Sequence, residues 1–191
     1  TKPKIFQKTL IYDEWVASTN GTHASSVALG TGPVIFILYQ GYWYGQDGAA
    51  GSRAWWKYGD ITSSPTFTRA LDGGQNYINV VSPVVHSKDD AMYFGYSDAT
   101  GLTNKIGKND IVTPGTDVFS QSVLTFPRYS IVASLCEKEN YLAIAINEPN
   151  DTSNVYLWDR DSSLATISEK IEWGSGTIKF IAQIGGILVG C

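Results

Sequence analysis

Along the chain, apolar residues either alternate with polar ones over short stretches or run together for five or six positions. Both kinds of segment are closed off by Gly, Pro, Asn or Asp. Segments 26–29, 34–39, 77–85, 91–96, 129–135, 141–146, 155–158 and 186–189 are short and rich in β-branched and aromatic residues, and each predicts a strand. The stretch 162–174 has two readings. Leu164, Ile167 and Ile171 fall at helical spacing, but Ile167, Ile171 and Trp173 also stand against Ser168, Lys170 and Glu172 in an interleaved pattern. The strands around it favour a strand here too, and the chain is expected to be all-β.

The strands repeat. The unit from Arg128 to Gly176 holds four of them, at 129–135, 141–146, 154–159 and 167–173, and a new unit opens with Thr177–Ala182 followed by Gly185–Gly190. Asn76–Val81 with Asp90–Tyr96, and Ser25–Leu29 with Pro33–Tyr39, fit the same first two slots. Val27, Ile78, Ile131 and Ile178 then recur roughly every 50 residues, a period that marks four-stranded antiparallel blades of a β-propeller. The second strands support this. Val34–Leu38 and Leu142–Ile146 are apolar at successive positions, so both faces need cover, as in a blade held between two others. The stretches 66–71 and 167–173 interleave polar and apolar residues, as outer blade edges do. A β-sandwich with coincident spacing is the alternative.

The expected units are roughly 24–75, 76–127, 128–176 and 177–191, about three and a half repeats. The N-terminal strand at 4–11 is available to complete the last unit and close a four-bladed ring; otherwise the chain is part of a larger ring whose open edges favour self-association.

The 191 residues carry 14 Lys and Arg against 18 Asp and Glu, a net charge of -4, so no basic face is available for nucleic acid. No run reaches the ~20 apolar residues of a membrane-spanning helix, so no membrane partner is expected. His23 and His86 fall in different units, and no CxxC, HExxH, phosphate loop or nucleophile elbow occurs, so neither a cofactor nor a metal site is expected. Cys136 and Cys191 read as two free thiols. Asp159 reads as the cap of the turn after a third strand, with calcium binding by Asp159 and Asp161 as the alternative. The clustered carboxylates of a propeller glycosidase are not evident, and no catalytic activity is expected.

The unit from Tyr141 to Gly176, with Tyr141–Ala145, Asn154–Asp161 and Ile171–Gly176 running on into Thr177–Lys179, resembles propeller segments of structural proteins of tailed bacteriophages. The resemblance implies a non-enzymatic structural module of a virion or tail, binding other protein subunits or itself, at a virion or extracellular location. The first two units lack the Trp-Asp that follows the third strand at Trp158 and Asp159.

A second reading comes from the aromatic stretch Tyr39–Gly48 and Arg53–Tyr58, read as a Gly-rich loop and the strand after it. Tyr42, Trp43, Tyr44, Arg53, Trp55, Trp56 and Tyr58 are the candidate binding residues, either as a protein hot spot or as stacking platforms for sugar rings. Trp55 and Trp56 must face opposite ways if both lie on one strand. The same residues can also simply fill the outer part of a blade.

Overall fold

The computed structural model describes residues 6–9, 14–17, 35–46, 55–58, 67–70, 78–97, 103–113, 116–167 and 169–191. The chain forms two compact units, Thr1–Gln75 and Asn76–Cys191. In their described residues both are all-β, as the strand pattern predicts.

In the first unit, β1 (Phe6–Thr9) and β2 (Glu14–Ala17) form an antiparallel hairpin. A four-stranded antiparallel sheet follows in the order β3 (Ile35–Tyr39), β4 (Tyr42–Gln46), β5 (Trp55–Tyr58), β6 (Phe67–Ala70). Gln40 and Gly41 join β3 to β4 with φ of 51° and 77°. Two successive positive φ angles make the tight primed turn whose twist matches that of its strands. Val34–Leu38 is therefore not a second strand. Ile35–Tyr39 is the first strand of its sheet, and the expected first strand at 25–29 lies outside the described residues. Apolar character at successive positions misled because exposed apolar side chains are common: Leu38 is 53% exposed.

The second unit contains two four-stranded blades and a hairpin. The first blade runs β7 (Ile78–His86), β8 (Ala91–Ser97), β9 (Lys105–Thr113), β10 (Thr116–Thr125). The second runs β11 (Ile131–Lys138), β12 (Tyr141–Asn147), β13 (Thr152–Trp158), β14 (Glu169–Ser175). The hairpin is β15 (Ile181–Ile184) and β16 (Ile187–Gly190), turned at Gly185 and Gly186, both with positive φ. The ambiguous stretch resolves into a short 3-10 turn at Leu164–Thr166 followed by β14.

The β11–β14 blade is covered on both sides. Leu142, Ile144, Ile146 and Trp158 pack against Tyr93, Ile106, Leu124 and Phe126 of the preceding blade or the segment leaving it. From the other face, Ala143, Ala145 and Val155 meet Ile178 and Ile181. This explains why Leu142–Ile146 is wholly buried although it is an unbroken apolar run. First strands lie side by side: Ser134 Oγ on β11 sits 3.4 Å from Ser82 Oγ on β7 and accepts the Ile181 N–H of β15 at 3.1 Å. Successive meander sheets stacked face to face, with their first strands adjacent, are propeller blades.

Candidate functional site

The aromatic stretch is a hairpin with an added strand, not a loop. β4 pairs with β3 through Leu38 opposite Trp43 and Tyr39 opposite Tyr42, and with β5 through Trp43 opposite Tyr58 and Gly45 opposite Trp56. Tyr58 in turn stands opposite Phe67 of β6. Leu38, Trp43, Tyr58 and Phe67 thus occupy one row straight across the four strands.

Strand alternation divides the tyrosines from the tryptophan. Tyr39 and Tyr44 are buried, with ring centroids 5.9 Å apart. Tyr44 is core, which removes it from the candidate binding residues: a fully enclosed ring offers no surface to a ligand. Tyr42 is half-buried, whereas Trp43 is 39% exposed beside exposed Leu38. Trp55 and Trp56 are adjacent on β5, so their positions fall on opposite faces of the sheet, that of Trp56 with Trp43. Arg53 lies outside the described residues, as do the side chains of Trp55, Trp56 and Tyr58.

The second unit contains two polar constellations that strand patterning does not reveal. One lies where the β7–β8, β11–β12 and β13–β14 connections meet. Fully buried His86 has Nδ1 3.1 Å from Asp89 Oδ1, and Arg160 Nη1 is 3.1 Å from His86 Nε2. His86 Nδ1 also accepts the Lys88 N–H at 3.3 Å, and Nε2 lies 3.3 Å from the Tyr141 carbonyl. Arg160 Nε also donates to Asp89 Oδ2 at 3.1 Å, Nη1 donates to the Asn140 carbonyl, and Tyr93 Oη donates to Asp89 Oδ2 at 2.5 Å. Burial pushes the Asp89 carboxyl up, but the Tyr93 hydrogen bond and the Arg160 charge outweigh it and hold the group below its ordinary range. Glu137 accepts from Ser87 N–H and Oγ–H on the same side. Asp89 Oδ1 is buried without a hydrogen-bond partner among the described residues, and the other contacts of the cluster clamp two blades together. Asp159 does cap the next turn: its Oδ1 accepts from Asp161 N–H, Ser162 N–H and Ser162 Oγ–H at 3.0, 2.8 and 2.7 Å. Among the described residues no group of three or more His, Cys, Asp and Glu is placed to hold a metal ion.

The other constellation is a cleft of about 290 Å³ formed by the β12–β13 turn and the outer strands β13 and β14. Glu148 gathers most of its polar contacts. Its Oε1 accepts from Asn154 Nδ2 at 2.8 Å and Tyr156 Oη at 3.2 Å, with Lys170 Nζ 3.8 Å away and 5.6 Å from the centre of the Tyr156 ring. Burial and the nearby Glu148 carboxylate push the Tyr156 hydroxyl up to about 12, so it remains a donor throughout the neutral range. Asn154 pairs with Glu172 and Tyr156 with Lys170 across the β13–β14 ladder, which brings all four to one face. The sequence signal was the polar positions 154, 170 and 172 within predicted strands. What it lacked was the β13–β14 register.

No family model and no curated protein matches the sequence. Among solved structures, the chain is similar to one described as a GH43 glycoside hydrolase whose engineered active site displays both endo-xylanase and exo-arabinofuranosidase activity. The TM-score is 0.49 and the identity 16%, covering 91% of this chain and 39% of that enzyme, so the chain spans well under half of the enzyme's length. That neighbour is a carbohydrate-active enzyme, and nothing in the comparisons leads to phage tail proteins. The expectation of a non-enzymatic phage structural module is corrected accordingly, and with it the expectation that the chain is not an enzyme.

Proposed function

We propose that the chain binds carbohydrate, using the face of the β3–β6 sheet that carries Trp43. The observation that supports this most is the half-exposed indole of Trp43, set in a row that runs from Leu38 to positions 58 and 67. A sugar ring has an apolar C–H face and a hydroxylated rim. An indole on the exposed face of a sheet matches the first through its ring and leaves the second in water. The opposite face carries buried Tyr39 and Tyr44, so the hairpin is anchored by one set of aromatics and displays another. A rigid, strand-borne platform also binds with less ordering cost than a mobile loop would.

The test is a glycan array followed by affinity electrophoresis on neutral polysaccharides, comparing the protein with Trp43→Ala. Binding by the parent and a loss of about tenfold or more in the variant, with an unchanged circular dichroism spectrum, is the expected result. Equal binding by both proteins, or no glycan retained by the parent, would refute the assignment.

A further inference from the structure

We propose a second ligand site in the other unit: the cleft around Glu148 takes a single sugar residue that bears a protonated amine. The proposal rests on the carbohydrate reading for the class of ligand, but not on the Trp43 face.

Three features of the cleft converge on this ligand. The first is size. About 290 Å³ is at the lower end of small-molecule sites, room for a compact ligand and not for an extended chain. The second is the composition of the walls. Asn150 and Asn154 supply amides and Glu148 a carboxylate already oriented by Asn154 and Tyr156, so its remaining acceptor directions are fixed before anything binds. Hydroxyl groups, each both donor and acceptor, suit such a lining better than an apolar ligand does.

The third feature is charge. Glu148 and Glu172 contribute two carboxylates and Lys170 one ammonium, and that ammonium is already placed beside Glu148 and the Tyr156 ring. Glu172, on β14 opposite Asn154, has no side-chain hydrogen bond or ion pair among the described residues. The cleft therefore has one negative charge in excess, on an exposed carboxylate at its edge. A ligand ammonium at Glu172, with ring hydroxyls toward Glu148 and the asparagines, satisfies every wall group named.

The experiment is two-dimensional NMR titration of the full chain with D-glucosamine and, separately, with D-glucose and N-acetyl-D-glucosamine, below pH 7 so that the amine is charged. The expected result is a set of shifts centred on residues 148–154 and 170–174, with glucosamine binding about three- to fivefold more tightly than the two neutral sugars. Glu172→Gln, an exposed change that leaves the Glu148 network intact, should abolish that preference. Shifts absent from the cleft, equal binding of all three sugars, or a preference that survives Glu172→Gln would overturn the proposal. Trp43→Ala separates it from the carbohydrate reading of the first unit: glucosamine shifts at the cleft should persist in that variant. Polysaccharide binding that depends on Trp43 while glucosamine leaves the cleft unmoved would sink this site and leave the other standing.

Discussion

Gly95 tests whether blade stacking is the organising contact of the second unit. It lies in the middle of β8, where an added Cβ would come within 2.7 Å of Val81 Cγ2 and 2.8 Å of Val132 Cγ1. Carbon atoms in contact prefer 3.5–4.0 Å, so both valines must move by most of an ångström. Val81 is half-buried and can yield; Val132 belongs to the following blade, is 1% exposed, and as a β-branched residue has little rotamer freedom. Overpacking of this kind costs about 1–3 kcal/mol, offset by roughly 0.4–1 kcal/mol from the stiffer unfolded chain when Gly becomes Ala. Gly95→Ala is therefore expected to destabilise the unit by about 1–2 kcal/mol, a fall in Tm of roughly 4–8 °C for a unit of this size. Val132→Ala alone removes two buried methyl groups and should cost about 2 kcal/mol. Together, the new methyl of residue 95 fills part of the space vacated by Val132, so the double variant should be about 1 kcal/mol more stable than the sum of the single effects. Urea melts followed by circular dichroism read all four proteins, with the midpoint moving and the slope constant. A Gly95→Ala variant as stable as the parent, or strictly additive effects, would refute the reading that these two blades meet through β8 and β11.

Three further outcomes follow from the same unit. Since the folded-state pKa of Asp89 is depressed, its pairing with Tyr93 and Arg160 stabilises fully above the ordinary carboxylate range. It is lost as pH falls below about 4 through the folded value, so acid unfolding should begin at higher pH in Asp89→Asn, which is also expected to cost about 2 kcal/mol at neutral pH by leaving Arg160 without its counter-charge. Burial pushes the Cys136 thiol up to about 11, so a thiol reagent at pH 8 should label exposed Cys191 first and reach Cys136 only on unfolding; equal rates would contradict the packing of β11. Trp158, 1% exposed, donates Nε1–H to the Ser162 carbonyl at 2.7 Å and meets Tyr93 edge-on at 6.0 Å, so Trp158→Ala should cost about 3–5 kcal/mol by calorimetry and Trp158→Phe clearly less.

The functional residues were only partly legible. Trp43 stood out because an aromatic near a Gly-rich turn is conspicuous, yet its neighbour Tyr44 was equally conspicuous and is core. Which of the two faces out depends on where the hairpin turns, and a turn at Gln40–Gly41 puts Tyr39 and Tyr44 inside and Trp43 outside. His86 was read as isolated because its partners are remote in sequence: Arg160 follows it by 74 residues, on the next blade. Lys170 and Glu172 read only as polar positions of an outer blade edge, and nothing along the chain linked them to Glu148 or Asn154. Only their cross-strand pairing makes a cleft of them.

The sequence alone was enough for the strand content and for the repeat of four strands, because both come from short-range physics. Side-chain alternation has a period of two, turn residues sit between strands that pair with their neighbours in the chain, and a strand buried on both faces, such as Leu142–Ile146, must be apolar throughout. The frame of the β3–β6 sheet, the clamp at Arg160, the shared Ser134 contact among three first strands and the cleft at Glu148 were decided by tertiary structure. Each joins side chains from different strands or different blades, and the faces they share are set by register and stacking, which no local pattern along the chain encodes.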